Sequence, residues 1–242
     1  MQLTRYMSFP RFVSCLIDGL FIPSPILFDD RWEGLMPFGK LPIPELALRS
    51  QDYDQFAPWM YVSCWHQQLR ESIPMWKIYG QTHEAISVRT TYDKLEAAFA
   101  AQYPNVLAYF NLVDYVDPAT ANVLALRPIY RLSSPPAEAD VKEPNSSLLY
   151  MYMKHAMYEY EREVRLVTLD PDFRKTQKNP RKGIHLNIRA TVDFIEHVTI
   201  APGADDWFYH TVKETAVRFG LHCQVSRSQL EFPHAAREME KP

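Results

Sequence analysis

The chain has 242 residues, of which 47% are hydrophobic and 13% aromatic, enough to bury a sizeable core and to exclude a disordered polypeptide. A formal net charge of −3 gives no bulk positive field for nucleic acid. Three cysteines, Cys15, Cys64 and Cys223, are odd in number and share no CxxC spacing, which argues against a disulfide scaffold and against a thiolate zinc site.

In chain order, residues 3–7 read as a short strand. Ser8-Phe9-Pro10 then starts a helix with Phe12, Val13, Leu16 and Ile17 at helical spacing and Gly19 as its stop. A strand at 20–22 ends at Pro23 and Pro25, and residues 28–58, rich in Pro, Gly and Asp, predict an irregular excursion. A buried strand is expected at 60–65, a helix at 72–79 with Pro74 in its first turn, a strand at 85–90 and an amphipathic helix at 92–101. Strands at 106–116 and 124–130 precede a Pro-rich surface loop at 133–147. Then come a helix at 148–155, a charged strand, a basic loop through Arg174, Lys175, Lys178, Arg181 and Lys182, and a strand at 183–188. A short helix at 190–195, a strand at 197–200, a helix at 205–219 and a strand at 222–225 close the order. No apolar run reaches membrane-spanning length and no basic-then-apolar leader opens the chain, so a soluble cytoplasmic protein without a membrane partner is expected. Irregular alternation and the lack of a GxGxxG turn favour α+β: a single domain over 1–242 with a central mixed or mostly antiparallel sheet flanked by helices.

The richest chemistry lies in Tyr160-Glu161-Arg162-Glu163-Val164-Arg165. As a strand it puts Glu161, Glu163 and Arg165 on one face. Two like charges so close repel unless something positive or a proton lies between them. The run therefore implies either a partner for the cluster or a use for it. If Arg165 pairs with Glu161, Glu163 is the carboxylate left facing a cleft. Trp76 and Tyr79 share a helix face at i, i+3; with His66 and Lys77 they would line a pocket for a flat ring, although such a pair is more often core. The Asp29-Asp30-Arg31-Trp32-Glu33-Gly34 turn suits loop-backbone hydrogen bonding better than a cation. No HExxH or HxxxH pair occurs among the histidines, and no metal cofactor is expected.

Several stretches in order resemble domain-of-unknown-function family 2971, a large bacterial group. They are Arg5-Tyr6, the helix from Phe12 to Gly19, the turn from Asp30 to Gly34, Cys64-Trp65, and Glu71-Ser72 with Met75-Trp76-Lys77 and Tyr79. Val113 to Tyr115, the Tyr160-to-Arg165 run and residues 195–202 complete them. More distantly, the Glu-x-Glu-x-Arg strand and the opening strand, helix and strand resemble ADP-ribosyltransferase-like proteins, without a Ser-Thr-Ser signature. That resemblance implies NAD as substrate, with Arg5 holding the dinucleotide, Phe21 or Ser24 packing the nicotinamide, and Glu163 or Glu161 orienting its ribose. It implies an ADP-ribosyltransferase or NAD glycohydrolase-like enzyme, in a bacterial toxin or phage-defence setting, acting on a small nucleotide or a macromolecular acceptor. The alternatives are a metal-dependent phosphodiesterase or nuclease built on Asp30, Glu33, Glu161 and Glu163, and a non-catalytic binding module. The transferase expectation requires Arg5, Trp76, Tyr79, Glu161, Glu163 and Arg165 to meet at one concave site.

Overall fold

Alternation along the first residues builds β1 (Gln2–Ser8), whose buried Leu3 and Met7 face one side of a sheet while Thr4 and Tyr6 face the other. The computed structural model describes residues 1–28, 57–67, 70–106, 108–117, 130–131, 151–170, 180–191 and 193–230. The Asp30–Glu33 turn, the loop at 133–147 and most of the excursion at 28–58 lie outside them.

Helix α1 (Phe9–Asp18) carries Pro10 in its first turn, where an absent N–H costs nothing, and buries Phe12 and Leu16 four residues apart. It ends at Gly19, whose φ of 97° is open to glycine alone at low cost. A Cβ built there would sit 2.6 Å from the Leu186 carbonyl oxygen. The close approach seats β2 (Leu20–Pro23) antiparallel to β10 (Gly183–Leu186) as a separate two-stranded sheet.

The main sheet has eight strands in the order β12-β11-β4-β1-β3-β9-β5-β7. Its members are β3 (Met60–His66), β4 (Ala85–Thr91), β5 (Ala108–Leu112), β7 (Tyr130–Arg131), β9 (Glu163–Leu169), β11 (His197–Ile200) and β12 (Gln224–Arg227), with β1 between β4 and β3. Only β11 and β12 pair in parallel, so the sheet is mixed and mostly antiparallel, as expected. Helices α3 (Tyr92–Gln102) and α4 (Asp206–Arg218) bury Leu95, Phe99, Phe208 and Val212 in the same core as Leu3, Met7, Trp65, Val164 and Leu166. The short α2 (Ile73–Met75) runs on as a five-residue π-helix, Trp76–Gly80. It packs Met75 and Trp76 against Tyr6, Ala85 and Ala201 on the opposite face.

Differences from the sequence expectations cluster around one strand. The run at 106–116 breaks at Val113: β5 stays with β9, while β6 (Asp114–Val116) leaves to pair in parallel with β8 (Met153–His155). Residues 153–155 are therefore strand, not the end of a helix, because backbone pairing with β6 overrides their helical pattern. Glu161 closes a 3-10 segment (Ala156–Glu161), and Arg162 in the left-handed region (φ 42°) turns the chain into β9. The described residues of 190–195 form no α-helix: Asp193 takes a left-handed φ of 52°, which breaks helical continuity before the buried Phe194 and Ile195. Among the described residues no helix is long and apolar enough to cross a membrane.

Gly19→Ala combines a disfavoured φ with a backbone clash, so it should lower stability by at least about 2 kcal/mol. Urea unfolding of the two proteins measures this directly.

Candidate functional site

Strand registers decide which side chains share a face. Thr4 lies opposite His66, His66 opposite Glu163, and Cys64 opposite Arg165. Thr4, Tyr6, His66, Cys64, Glu163 and Arg165 therefore project from one side of the sheet, away from the larger core. The β6–β8 pair covers this side near β9, and the π-helix covers it near β1.

Between those covers lies a chain of four buried charges. The Arg165 Nε donates to Glu163 Oε2 at 2.6 Å, and the Lys154 Nζ donates to Glu163 Oε1 at 3.0 Å. Lys154 also pairs with Glu161 Oε2, and Glu161 Oε1 accepts from the Tyr79 hydroxyl at 3.0 Å. Arg165 Nη1 reaches the Met151 carbonyl at 2.8 Å. None of Lys154, Glu161, Glu163 and Arg165 is more than 5% exposed. Burial at this depth is tolerated only when each charge is paired and hydrogen-bonded, as here.

The backbone is fixed with equal care. The Glu163 N–H donates to the Tyr115 hydroxyl at 2.7 Å, and the Val113 N–H donates to the Glu163 carbonyl at 2.9 Å. Those bonds come from the two ends of the departure at Val113, so the strand that leaves the main sheet also clamps Glu163. His66 Nδ1 donates to the Glu161 carbonyl, which sets its tautomer. The left-handed Arg162 lets Glu161, although not on the strand, present its carboxyl to the same ammonium as Glu163.

The two carboxyls are driven apart electrostatically. Burial first, then the neighbouring Glu163, push Glu161 up to about 8 from 4.5. Burial acts upward on Glu163 too, but the Arg165 guanidinium, the hydrogen bond with Glu161 and the Lys154 ammonium outweigh it. Glu163 is held well below the usual carboxylate range. Burial keeps Tyr79 protonated far above neutral pH, so its hydroxyl remains a donor to Glu161.

An aromatic rim surrounds Glu161. Tyr79 is 37% exposed and Tyr160 36%, while Tyr158 lies under the Lys154 ammonium at 4.6 Å. Trp76 is buried, meets Tyr6 edge-on at 4.8 Å, and donates through Nε1 to Glu71 at 2.9 Å. The structure thus brings Trp76, Tyr79, Glu161, Glu163 and Arg165 to one face.

Arg5 does not join them. Its partners are Ser63 Oγ at 3.4 Å and the Trp65 ring at 5.9 Å, on the core side of the sheet. By strand spacing its backbone is only ~10 Å from that of Glu163, but the side chains leave opposite faces. Phe21 alternates with buried Leu20 and Ile22 and lies against Gly183 and His185 on the small sheet. Ser24, fully buried beyond β2, takes the Lys182 carbonyl through its N–H. Arg165 pairs with Glu163 and not with Glu161, which reverses the expected assignment and leaves Glu161 as the carboxyl at the rim. Lys154 and Tyr115 escaped the sequence reading. The signal for Lys154 was the like charge at Glu161 and Glu163, which called for a positive group or a proton between them.

Asp30 and Glu33 fall outside the described residues, among which no group of three or more His, Cys, Asp or Glu is placed to hold a metal. Lys154 and Arg165 already occupy both carboxylates, so a metal bound there would have to displace a cation.

Two outcomes follow from the network. Lys154→Met leaves two buried carboxyls facing each other and should cost about 3–5 kcal/mol, with much of the loss recovered by adding Glu161→Gln. The raised Glu161 also ties stability to pH. The folded state keeps a proton that the unfolded chain releases above 4.5, so stability falls as pH rises from there through about 8. His197, held below 6.5 by burial and then by Arg89, gives its full contribution above that value. Denaturation midpoints should therefore fall between about pH 6.5 and pH 8 in the native protein, and much less in Glu161→Gln.

Comparison with known proteins agrees with the family resemblance. No curated protein matches the chain in sequence. A solved structure of DarT from Thermus sp. 2.9 in complex with NAD+ aligns over 94% of this chain and 95% of that one, at 9% identity and a TM-score of 0.39, too low to carry an argument. The family model described as a protein of unknown function, DUF2971, matches residues 75–166, the stretch that holds Trp76, Tyr79, Tyr115, Lys154, Glu161, Glu163 and Arg165.

Proposed function

We propose that the chain is an NAD-using enzyme, an ADP-ribosyltransferase or NAD glycohydrolase, with its working carboxyl at Glu161. The observation that supports this reading is the split between Glu161 and Glu163 across one ammonium. Paired carboxyls driven in opposite directions are the usual sign of divided acid–base labour. Glu163, buried and ionised, tunes its neighbour. Glu161, next to the aromatic rim, meets the substrate.

Cleavage of the nicotinamide–ribose bond sends the bonding electrons out with a neutral nicotinamide and builds positive charge on the ribose. Tyr79 and Tyr160 offer faces against which the departing ring stacks. The Tyr79 hydroxyl stands where a ribose hydroxyl would donate to Glu161, so the sugar takes its place on binding. Ionised Glu161 then stabilises the ribose cation and accepts the proton of the attacking water or acceptor group, in a site kept nearly dry. Arg5 takes no part, because it faces the other side of the sheet.

Near-complete burial of the four charges favours a second reading, in which the network is scaffold for a binding module. Incubation with NAD and chromatographic measurement of nicotinamide separates the two. The enzymatic reading expects release that rises with pH and levels off above about 8. Glu161→Gln should cut it at least about 100-fold without a loss of melting temperature. No release by the native protein at millimolar NAD would favour the scaffold.

A further inference from the structure

The polar face that carries Glu163 continues across the sheet. His197 lies opposite Arg89, Arg89 opposite Thr4, Thr4 opposite His66, and His66 opposite Glu163. Five strands thus place one residue each in a single row. Thr4, Arg89 and His197 are all partly exposed, whereas apolar Val88 and Val198 on the neighbouring positions turn into the core.

Arg89 is the unusual member. Among the described residues its guanidinium makes no hydrogen bond or ion pair, and its Nε is buried without a partner. Gln2, on that face two residues before Thr4 along β1, also has a buried Oε1 without a partner. Burying a guanidinium nitrogen without an acceptor is costly, and other cations on this face, Lys154 and Arg165, are fully engaged. The position is set up for an acceptor that none of the described residues supplies.

We propose that Arg89 is the diphosphate subsite of a nucleotide laid along this row, with its glycosidic end at Glu161. The inference rests on the enzymatic reading above for the orientation of the ligand. The Arg89 and Glu163 backbones are three strands apart, ~14 Å. A guanidinium binds phosphate oxygens through paired N–H groups, and Nε is one of the donors that the fork needs. His197 beside it hydrogen-bonds Ser226 Oγ at 2.7 Å and is held below 6.5 by burial and then by the Arg89 charge.

Titration with ADP and with inorganic pyrophosphate tests the subsite. Calorimetry should show ADP binding to the native protein and to a Lys213→Gln control, and about tenfold or weaker binding to Arg89→Gln. Pyrophosphate alone should bind weakly and with the same dependence. In the native protein, NMR titration of the His197 ring should show its pKa moving up toward 6.5 when ADP is added, because the phosphate neutralises Arg89, with Glu71 the other charge it senses. That shift needs no variant, and Arg89→Lys, which keeps the charge but not the fork, should bind ADP between the two. Unchanged ADP affinity in Arg89→Gln, or a His197 pKa indifferent to ADP, overturns the subsite. Nicotinamide release from NAD together with either result would leave the enzymatic reading intact. ADP bound through Arg89 without nicotinamide release would remove that reading and keep the subsite.

Discussion

Four charges share one dry pocket, and most of the local architecture exists to make that tolerable. Lys154 bridges Glu161 and Glu163, and Arg165 closes the far end. The break at Val113, the β6–β8 pair, the Tyr115 hydroxyl and the left-handed Arg162 each bring a partner to this cluster or hold one in place. Whereas Glu161 keeps a proton up to about pH 8 and tolerates a neutral replacement, removing Lys154, Glu163 or Arg165 leaves an uncompensated ion in low dielectric. That cost is larger than most single contacts in a domain and a large fraction of typical net stability.

The same constraint produces chemistry. With Arg165 and Lys154 both on Glu163, that carboxyl stays ionised, and the proton the pair can hold goes to Glu161. The asymmetry is geometric in origin: Glu163 sits on the strand beneath the cover, whereas Glu161 sits at the end of a 3-10 turn against Tyr79. A carboxyl that titrates close to neutral pH beside exposed aromatic faces is suited to proton transfer on a flat, cationic substrate. The π-helix that carries Tyr79 belongs to a class of local distortion common at functional sites.

Much of the frame was legible in the sequence. Strand and helix order from Gln2 to Gln102 followed from alternation, from Pro10 and Pro74, and from Gly19. The charge pattern at Glu161, Glu163 and Arg165 called for a proton or a positive group between the carboxyls, and Lys154 is that group. Its identity was hidden because residues 148–155 carry a helical pattern, and only pairing with β6 makes Lys154 part of a strand. Arg162 adopts a left-handed φ with none of the usual Gly or Asn signal, so the strand begins at Glu163, three residues later than the charge pattern suggests. The side of the sheet that Arg5 faces relative to Glu163 depends on the register of β1, β3 and β9. A shift of one residue reverses it, and no local pattern in one sequence fixes that register.

The central claim is that two carboxyls sharing one ammonium are driven in opposite directions, Glu161 upward by burial and by its neighbour, Glu163 downward by Arg165 and Lys154 against its own burial. Carbon-13 NMR of glutamate side-chain carboxyls, assigned with Glu161→Gln and Glu163→Gln, reads both titrations in the same sample. The account predicts that Glu161 titrates near pH 8 and that Glu163 stays ionised to the acid limit of the folded state. Two carboxyls titrating together near the ordinary value of 4.5 would contradict it.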